Sequence, residues 1–336
     1  MSQTPASPVQ APRAVLGIDL AKADFAACLL SNNERHRRTF TNTPTGFTQL
    51  WAWLAEHSAS QAVIALEATG PYGEPLAQAA FAAGHQVLML NPRRVAQYAK
   101  SCGRRNKTDR ADAEVIARFA QDQWPRQRAW WQPLPPAQAG LRALLRRQAD
   151  LEAALHAEQR RLEVAQPEVL ASARRSVRWL EAELRRLEAT IQKHLRAHGA
   201  LAHDVGRLRQ IAGFGEKTAR LLVAEIPRHF RNARAVAAWL GVVPRQVQSG
   251  TSVRQASRVG HEAPWLRAKL YFPAITAMRC DPRCQVFASR LRTQGKAPMS
   301  VVMAVLHKLI RTAFALLKNQ SPYDPKHQVQ FAPASR

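Results

Sequence analysis

Acids are scarce in this chain, 24 Asp and Glu among 336 residues against 49 Lys and Arg, so a carboxylate that abuts an apolar run stands out. Asp19 closes the run Val15-Leu16-Gly17-Ile18, and Glu67 closes Ala62-Val63-Ile64-Ala65-Leu66. Asp109 and Asp112 lie three residues apart at the start of a predicted helix, a spacing that puts both carboxylates on nearly the same face. Four oxygen donors from three elements suit hard divalent cations. Two Mg²⁺ ions about 3.5 to 4 Å apart can bridge a scissile phosphate and stabilise the attacking and leaving oxygens, and Mn²⁺ would serve as a substitute. Each acid alone also has an ordinary role: Asp109 as a helix N-cap with Asp112 in the favourable first turn, and Asp19 as the start of a turn. Glu67, followed by Ala-Thr-Gly-Pro, has no cap to provide. Asp24, Glu74 and Glu114 are nearby acids that would replace a member of the set under a different assignment.

Between Glu67 and the paired aspartates runs a basic stretch with Arg93, Arg94, Lys100, Arg104, Arg105 and Lys107, continued by Arg110. It would hold a phosphate backbone beside the acids; a solvated face is the plainer alternative. Further on, Leu208-Arg209-Gln210-Ile211-Ala212-Gly213-Phe214-Gly215-Glu216-Lys217 has the pattern of a helix-hairpin-helix. Gly213 and Gly215 permit a tight turn whose N–H groups, with Lys217, hold phosphate without reading bases. Ser249-Gly250 then falls in a cation-rich loop with Arg254 and Arg258. A serine hydroxyl there would be accessible to a phosphodiester, although spacing alone does not single out Ser249 as a nucleophile.

These residues need elements to position them. Ala14 to Leu20, Ala26 to Leu30 and Arg37 to Thr41 read as a β-meander, Ala62 to Leu66 and Gln86 to Leu90 as buried strands, and Thr45 to Glu56 and Pro71 to Ala82 as helices. Asn91-Pro92 opens another helix, and a further one runs from Thr108 or Asp109 to about Gln121 with Val115, Ile116 and Phe119 inward. Trp124 to Pro136, rich in Trp and Pro, breaks the pattern as a linker. From Gln138 to Arg196 leucines recur at spacings of three, four or seven, a heptad-like seam interrupted at Pro167. Two long helices are expected, paired antiparallel within the chain or joined to those of another subunit. The region from Val205 to Asn319 reads as helical with Gly, Pro and Ser interruptions, and Ser321 to Arg336 as a tail. The division is therefore 1–13 disordered, 14–124 the acid-bearing α/β domain, 125–204 linker and long helices, 205–320 the serine-bearing domain, and 321–336 tail.

The net charge of +25, carried by many more Arg than Lys, points to a polyanionic partner and away from an ordinary metabolic enzyme. Four scattered cysteines make no disulfide framework, and Cys280 with Cys284 lacks the second pair of a zinc site. The N-terminus has no apolar signal core, and Val301 to Leu317 is interrupted by His307, Lys308 and Arg311, so neither export nor membrane insertion is expected.

Taken together, the chain resembles the DEDD-type transposases of insertion-sequence family 110, described as RNA-guided (bridge-RNA) recombinases. The motifs are Gly17-Ile18-Asp19-Leu20-Ala21-Lys22, Leu66-Glu67-Ala68-Thr69-Gly70, Asn91-Pro92 leading to Lys107-Thr108-Asp109-Arg110-Ala111-Asp112-Ala113, the Gly213-Phe214-Gly215 turn, and Leu240-Gly241-Val242-Val243-Pro244 followed by Ser249-Gly250. The resemblance implies an α/β RuvC-like (RNase H-like) N-terminal domain with Asp19, Glu67, Asp109 and Asp112 as a metal-binding tetrad. It also implies a helical coiled-coil middle segment and a mainly α C-terminal transposase domain whose Ser249 becomes covalently linked to DNA. Donor and target DNA, a guide RNA and a homo-oligomer of two or four subunits are the implied partners, in the bacterial cytoplasm at the nucleoid, with no membrane. Family members often carry Ser-Lys-x-Gly-Asn after the serine; here Arg258 keeps the lysine's charge and His261 stands in place of the Asn. Two alternatives stay open on the residues themselves: a structure-specific nuclease with the same acids and water as nucleophile, and a non-catalytic nucleic-acid-binding protein.

Overall fold

Short apolar runs bounded by turn residues build the N-terminal sheet. In the computed structural model, which describes residues 14–68, 70–103, 109–123, 130–249, 253–259 and 264–324, the chain divides into two compact units, Met1–Pro133 and Leu134–Arg336. In the first unit, β1 (Ala14–Leu20) pairs antiparallel with β2 (Asp24–Ser31), which pairs antiparallel with β3 (Glu34–Thr41). The β2–β3 turn places Asn32 and Asn33 both at positive φ, the mirror-image turn whose twist suits a two-residue hairpin. After α1 (Pro44–Glu56), β4 (Val63–Glu67) adds parallel to β1; after α2 (Glu74–Ala82), β5 (Gln86–Leu90) adds parallel to β4. The strand order is β3-β2-β1-β4-β5, and α3 (Pro92–Ser101) and α4 (Asp109–Gln123) follow. The helix expected from Pro71 is a 3₁₀ turn at Pro71–Gly73 before α2 begins at Glu74, because Pro75 has no N–H to offer an earlier turn and is at home in a new first turn.

Alternation sorts the sheet into two faces. Leu16 and Ile18 of β1 with Ile64 and Leu66 of β4 pack against Leu50, Trp53 and Leu54 of α1 and Leu76, Ala77 and Ala80 of α2. Val15, Val63, Ala65, Leu88 and Leu90 pack on the other face against Val95 of α3 and Val115, Ile116, Phe119 and Ala120 of α4. The mixed α/β class expected for this part is present.

The second unit is mostly helical. The long helices α5 (Pro136–Glu163) and α6 (Pro167–Ala197) form an antiparallel hairpin within the chain: His194 Nε2 lies 2.8 Å from the Ala137 carbonyl oxygen, and Gln148 Nε2 donates to Glu188 at 3.3 Å. Leu141, Ile191 and Leu195 at its root join the core of the unit, whereas beyond Leu151 and Leu180 neither helix has a fully buried residue. The amide of the buried Gln138 donates to the carbonyls of Val223 at 2.8 Å and Ile226 at 3.1 Å. There follow α7 (Gly199–Arg209), α8 (Glu216–Glu225), α9 (Ala233–Trp239), a two-stranded sheet of β6 (Pro244–Ser249) and β7 (Val253–Val259), then α10 (Pro264–Lys269), α11 (Tyr271–Cys280), α12 (Pro282–Thr293) and α13 (Pro298–Asn319). By length and composition α13 is apolar enough to cross a membrane, but Val301, Val305, Leu306, Leu309, Ile310 and Ala313 are buried in the core of this unit. The β6–β7 hairpin is the departure from the expected helical region, and Ser249 closes a strand rather than sitting in a loop. All four cysteines are free, Cys28 and Cys284 buried, Cys102 and Cys280 exposed.

Candidate active site

Asp19 and Glu67 each follow the last paired residues of two adjacent parallel strands, Ile18 and Leu66. In a parallel pair, residues at matching positions share a face, and alternation puts both on the side of Val15 and Ala65, which is the side covered by α4. Both are partly buried.

The helix reaches them because Gly17 lets it. A Cβ at Gly17 would fall within 2.8 Å of Ala117 Cα and closer still to the Ala113 carbonyl oxygen and the Ala117 nitrogen, so α4 rests on the β1 backbone itself. Ala113 also packs with Ala26 and Cys28, the β2 residues paired with Asp19 and Gly17. Asp112, one residue before Ala113 on the same helix, is half-buried. Asp109 is the first residue of α4; its side chain lies outside the described residues, as do Arg104, Arg105 and Lys107. The described residues contain no closed group of three or more His, Cys, Asp or Glu side chains ready to hold a metal. Asp19, Glu67 and Asp112 are nonetheless oxygen donors on three neighbouring elements, the donor chemistry that a hard divalent ion takes.

Glu114, an alternative member on sequence grounds, is committed elsewhere. Its carboxylate is buried and accepts from Arg35 Nη1 at 3.0 Å, from Arg118 Nε at 2.9 Å and from Arg37 Nη2. Two guanidiniums, those of Arg35 and Arg37, pin α4 to β3, and Arg118 steadies the carboxylate from within the helix. Nearby, burial pushes the Cys28 thiol up from its ordinary range, although Arg37 opposes the shift. The α3 helix is tied to α4 as well: Tyr98 donates to Asp122 Oδ2 at 2.5 Å, and burial together with that carboxylate raises the phenol well above its usual range. Arg94 donates to Gln123 Oε1 at 3.0 Å, and Arg93, Arg94 and Lys100 are exposed on this helix. Asn91 caps it, its side chain accepting from Arg93 N at 2.9 Å.

In the helical unit, Gly213 has φ +87°, and a Cβ there would come within 2.9 Å of Ala277 N, so the α7–α8 turn is packed against α11. Gly215 precedes α8 without a side-chain cap, and Lys217 Nζ meets Glu152 at 3.0 Å while remaining mostly exposed. The first turn of α8 also carries Glu216, drawn to Arg220. Ser249 pairs with Val253 at the closed end of the β6–β7 hairpin, Arg254 pairs with Gln248, and Arg258 with Arg245. Gly250 and His261 lie outside the described residues, and so do the side chains of the two strands.

A DEDD-type transposase family model matches residues 16–166, and one described as transposase of the IS116/IS110/IS902 family matches residues 205–288. The pilin gene-inverting protein of Moraxella bovis is 32% identical over 317 residues, covering 93% of this chain and 98% of the relative. The chain belongs to the IS110 family of transposases. The pilin gene-inverting protein of Moraxella lacunata matches equally, also at 32% over 317 residues, and a probable family 20 transposase of Pseudomonas aeruginosa is 31% identical over 183 residues, 52% of each chain. This IS110-family enzyme is a DNA transposase or recombinase, with DNA as its partner, and a DEDD-type transposase domain points to the use of divalent metal in general. The first match spans Asp19, Glu67, Asp109 and Asp112, and the second spans Ser249.

Two features of the transposase escape sequence reasoning. The Glu114 cluster joins residues 77 and 79 positions apart, with no local signal. The β6–β7 strands are rich in Arg, Gln and Ser, without the apolar alternation that marks a strand, although Pro244 followed by Arg-Gln-Val-Gln carries some extended bias.

Proposed function

We propose that this transposase cuts and rejoins DNA through a covalent serine ester, with Asp19, Glu67, Asp109 and Asp112 as the ligands of Mg²⁺, or of Mn²⁺ in its place. The observation that supports the reading is the arrival of Asp19 and Glu67 at matching positions on neighbouring strand ends, with the helix that carries Asp112 resting on Gly17 of the first strand. Bound cations supply neutralisation of the phosphate's charge at the reacting centre. By holding them, the carboxylates would fix the position of the phosphodiester at the site.

Ser249 is the nucleophile in this reading. Its Oγ forms a bond to phosphorus as one deoxyribose oxygen leaves, the serine proton passing to a carboxylate or water and the leaving oxygen taking a proton in turn. Attack by a hydroxyl of another strand on the same phosphorus reverses the step and frees the serine. Each exchange makes one P–O ester bond and breaks one, so no nucleotide hydrolysis is needed to drive it.

Arg93, Arg94, Lys100, Arg104, Arg105 and Lys107 would hold the backbone next to the acids, and Gly213, Gly215, Lys217, Arg254 and Arg258 would do so in the helical unit as a helix-hairpin-helix and a basic hairpin. The RuvC-like assignment of residues 14–124, coiled-coil behaviour of α5 and α6, selection of target DNA by base pairing to a guide RNA, and assembly into a dimer or tetramer complete the proposal. It supposes action on donor and target DNA in the cytoplasm. The test is trapping: full-length protein with Mg²⁺ and DNA carrying element ends, denatured and run on a gel, should yield a protein–DNA adduct that Ser249→Ala lacks. Cleavage without any adduct, and equal cleavage by Ser249→Ala, would favour water as nucleophile.

A further inference from the structure

One cavity of the helical unit is left unused by that mechanism. It lies between α5, α8 and α10, has a volume of about 580 Å³, and is lined on its apolar side by Leu145, Ala149 and Leu221. The indole of Trp265 lines it too and is 45% exposed. Among the described residues no ring is recorded against this indole, which leaves a half-exposed aromatic plate beside a concave apolar surface.

The polar lining has a definite pattern. Arg146 is engaged by Glu225 at 3.3 Å and Lys217 by Glu152 at 3.0 Å. Arg220 is 3% exposed, gives its terminal nitrogens to Glu188 at 2.8 Å and to Glu216, and keeps its Nε buried with no hydrogen-bond partner among the described residues. Both terminal nitrogens of Arg220 are thus already taken, and the guanidinium forms part of the cavity wall without presenting a free donor to it. Asp150 supplies carboxylate oxygens, and Lys269 a further cation, in the same lining.

An aromatic plate, an apolar wall, carboxylate acceptors and lysines together match one ligand class. An unpaired nucleobase offers a π-face to stack, carbonyl or ring-nitrogen acceptors, N–H donors along its edge, and a phosphate a few ångströms away. A paired base in a duplex has its faces stacked and its Watson–Crick edge occupied. Lys217 and Thr218 of the lining sit in the first turn of α8, directly after the Gly213–Gly215 turn, so a strand whose backbone runs along that turn has a base within reach of the cavity.

We infer that this cavity takes one unpaired nucleotide of a bound strand, its base stacked on Trp265 and its phosphate at Lys217 and Lys269. The inference rests on the nucleic-acid reading above and adds to it a discrimination between single-stranded and duplex segments.

The experiment uses the full-length protein and short oligonucleotides with one internal 2-aminopurine, as a single deoxyribo strand, a single ribo strand and a duplex. Wild-type protein should quench the fluorescence of a single strand, and Trp265→Ala should abolish the quenching and weaken single-strand binding about tenfold. Duplex binding should be unchanged, and Trp265→Phe should keep most of the single-strand affinity. Ala149→Phe, which fills the cavity without touching an ion pair, should reproduce the loss and decides the matter if Trp265→Ala fails to fold. The stronger of the deoxyribo and ribo arms identifies the strand. Unchanged quenching and affinity in Trp265→Ala or Ala149→Phe overturns the inference alone. A wild-type protein that binds neither strands nor duplex overturns the nucleic-acid reading with it.

Discussion

Gly17 and Ala117 meet backbone to backbone, with no room for even one methyl group between the first strand and the helix that crosses it. This contact sets the height of α4 above the sheet. It therefore sets where Asp112 stands relative to Asp19, because Asp112 and Ala117 share one helix and Gly17 and Asp19 share one strand.

Gly17→Ala should lift α4. Overpacking of this kind costs about 1–3 kcal/mol, which lowers the midpoint of urea unfolding. DNA cleavage should fall much further than DNA binding, since the acids are displaced and the cations of the surface are not. Cleavage at the wild-type rate in Gly17→Ala would mean that the height of the helix does not matter to the chemistry.

Glu114→Gln should destabilise the N-terminal unit by about 3 kcal/mol. The change leaves Arg35, Arg37 and Arg118 facing one another across a site whose carboxylate is only 2% exposed. Their own partial exposure lets water replace some of the loss, which holds the figure at the low end for a broken buried pair. Urea titration of both proteins measures it, and equal midpoints would remove Glu114 as the anchor of α4.

Ser249→Ala should reduce strand exchange by about 10³-fold or more, the scale on which removal of a covalent nucleophile acts, while DNA binding persists. Asp19→Ala and Glu67→Ala should do likewise, and chelation with EDTA should give the wild-type protein the same phenotype, reversed by Mg²⁺ or Mn²⁺. A gel assay for joined products separates these outcomes. Full activity after exhaustive chelation would dismiss the metal from the reaction.

Acid should loosen the helical unit. Burial pushes the Glu188 carboxyl up, but the hydrogen bonds and charge of Arg220, with Gln192 and Gln148, outweigh it and hold Glu188 below the ordinary range; Arg220 chiefly holds Glu216 below it as well. Groups depressed on folding contribute stability above their unfolded pKa of about 4.3, and this is lost as pH falls through the lower folded values. Unfolding free energy should therefore decline below about pH 4.3, and Glu188→Gln should flatten that part of the profile. An identical slope in the variant would show that the Arg220 cluster does not couple to protons.

Most of the N-terminal fold is legible in the residues. The runs ending in Asp19 and Glu67 read as strands because five or so apolar residues bounded by a charge leave few other options, and Asn91-Pro92 marks the entry to α3 by capping chemistry alone. The long hairpin is visible in the leucine spacing and its break at Pro167. What stays hidden is non-local: Gly17 looks like any glycine in a strand until Ala113 and Ala117 are laid over it, and Arg220 gives no sign in sequence that Glu188, Glu216 and a cavity surround it. Ser249 reads as a loop residue because β6 and β7 hold each other by backbone pairing while their sequences lack apolar alternation.

The three-carbonyl grip of Gln138 at the base of the long hairpin has a mechanical corollary. With Leu141, Ile191 and Leu195 clamped in the same place and the outer half unsupported, α5 and α6 form a cantilever fixed at one end. A load taken up near Val164 would act through the root at Gln138 on α8, the helix that begins at the glycine turn and lines the tryptophan cavity.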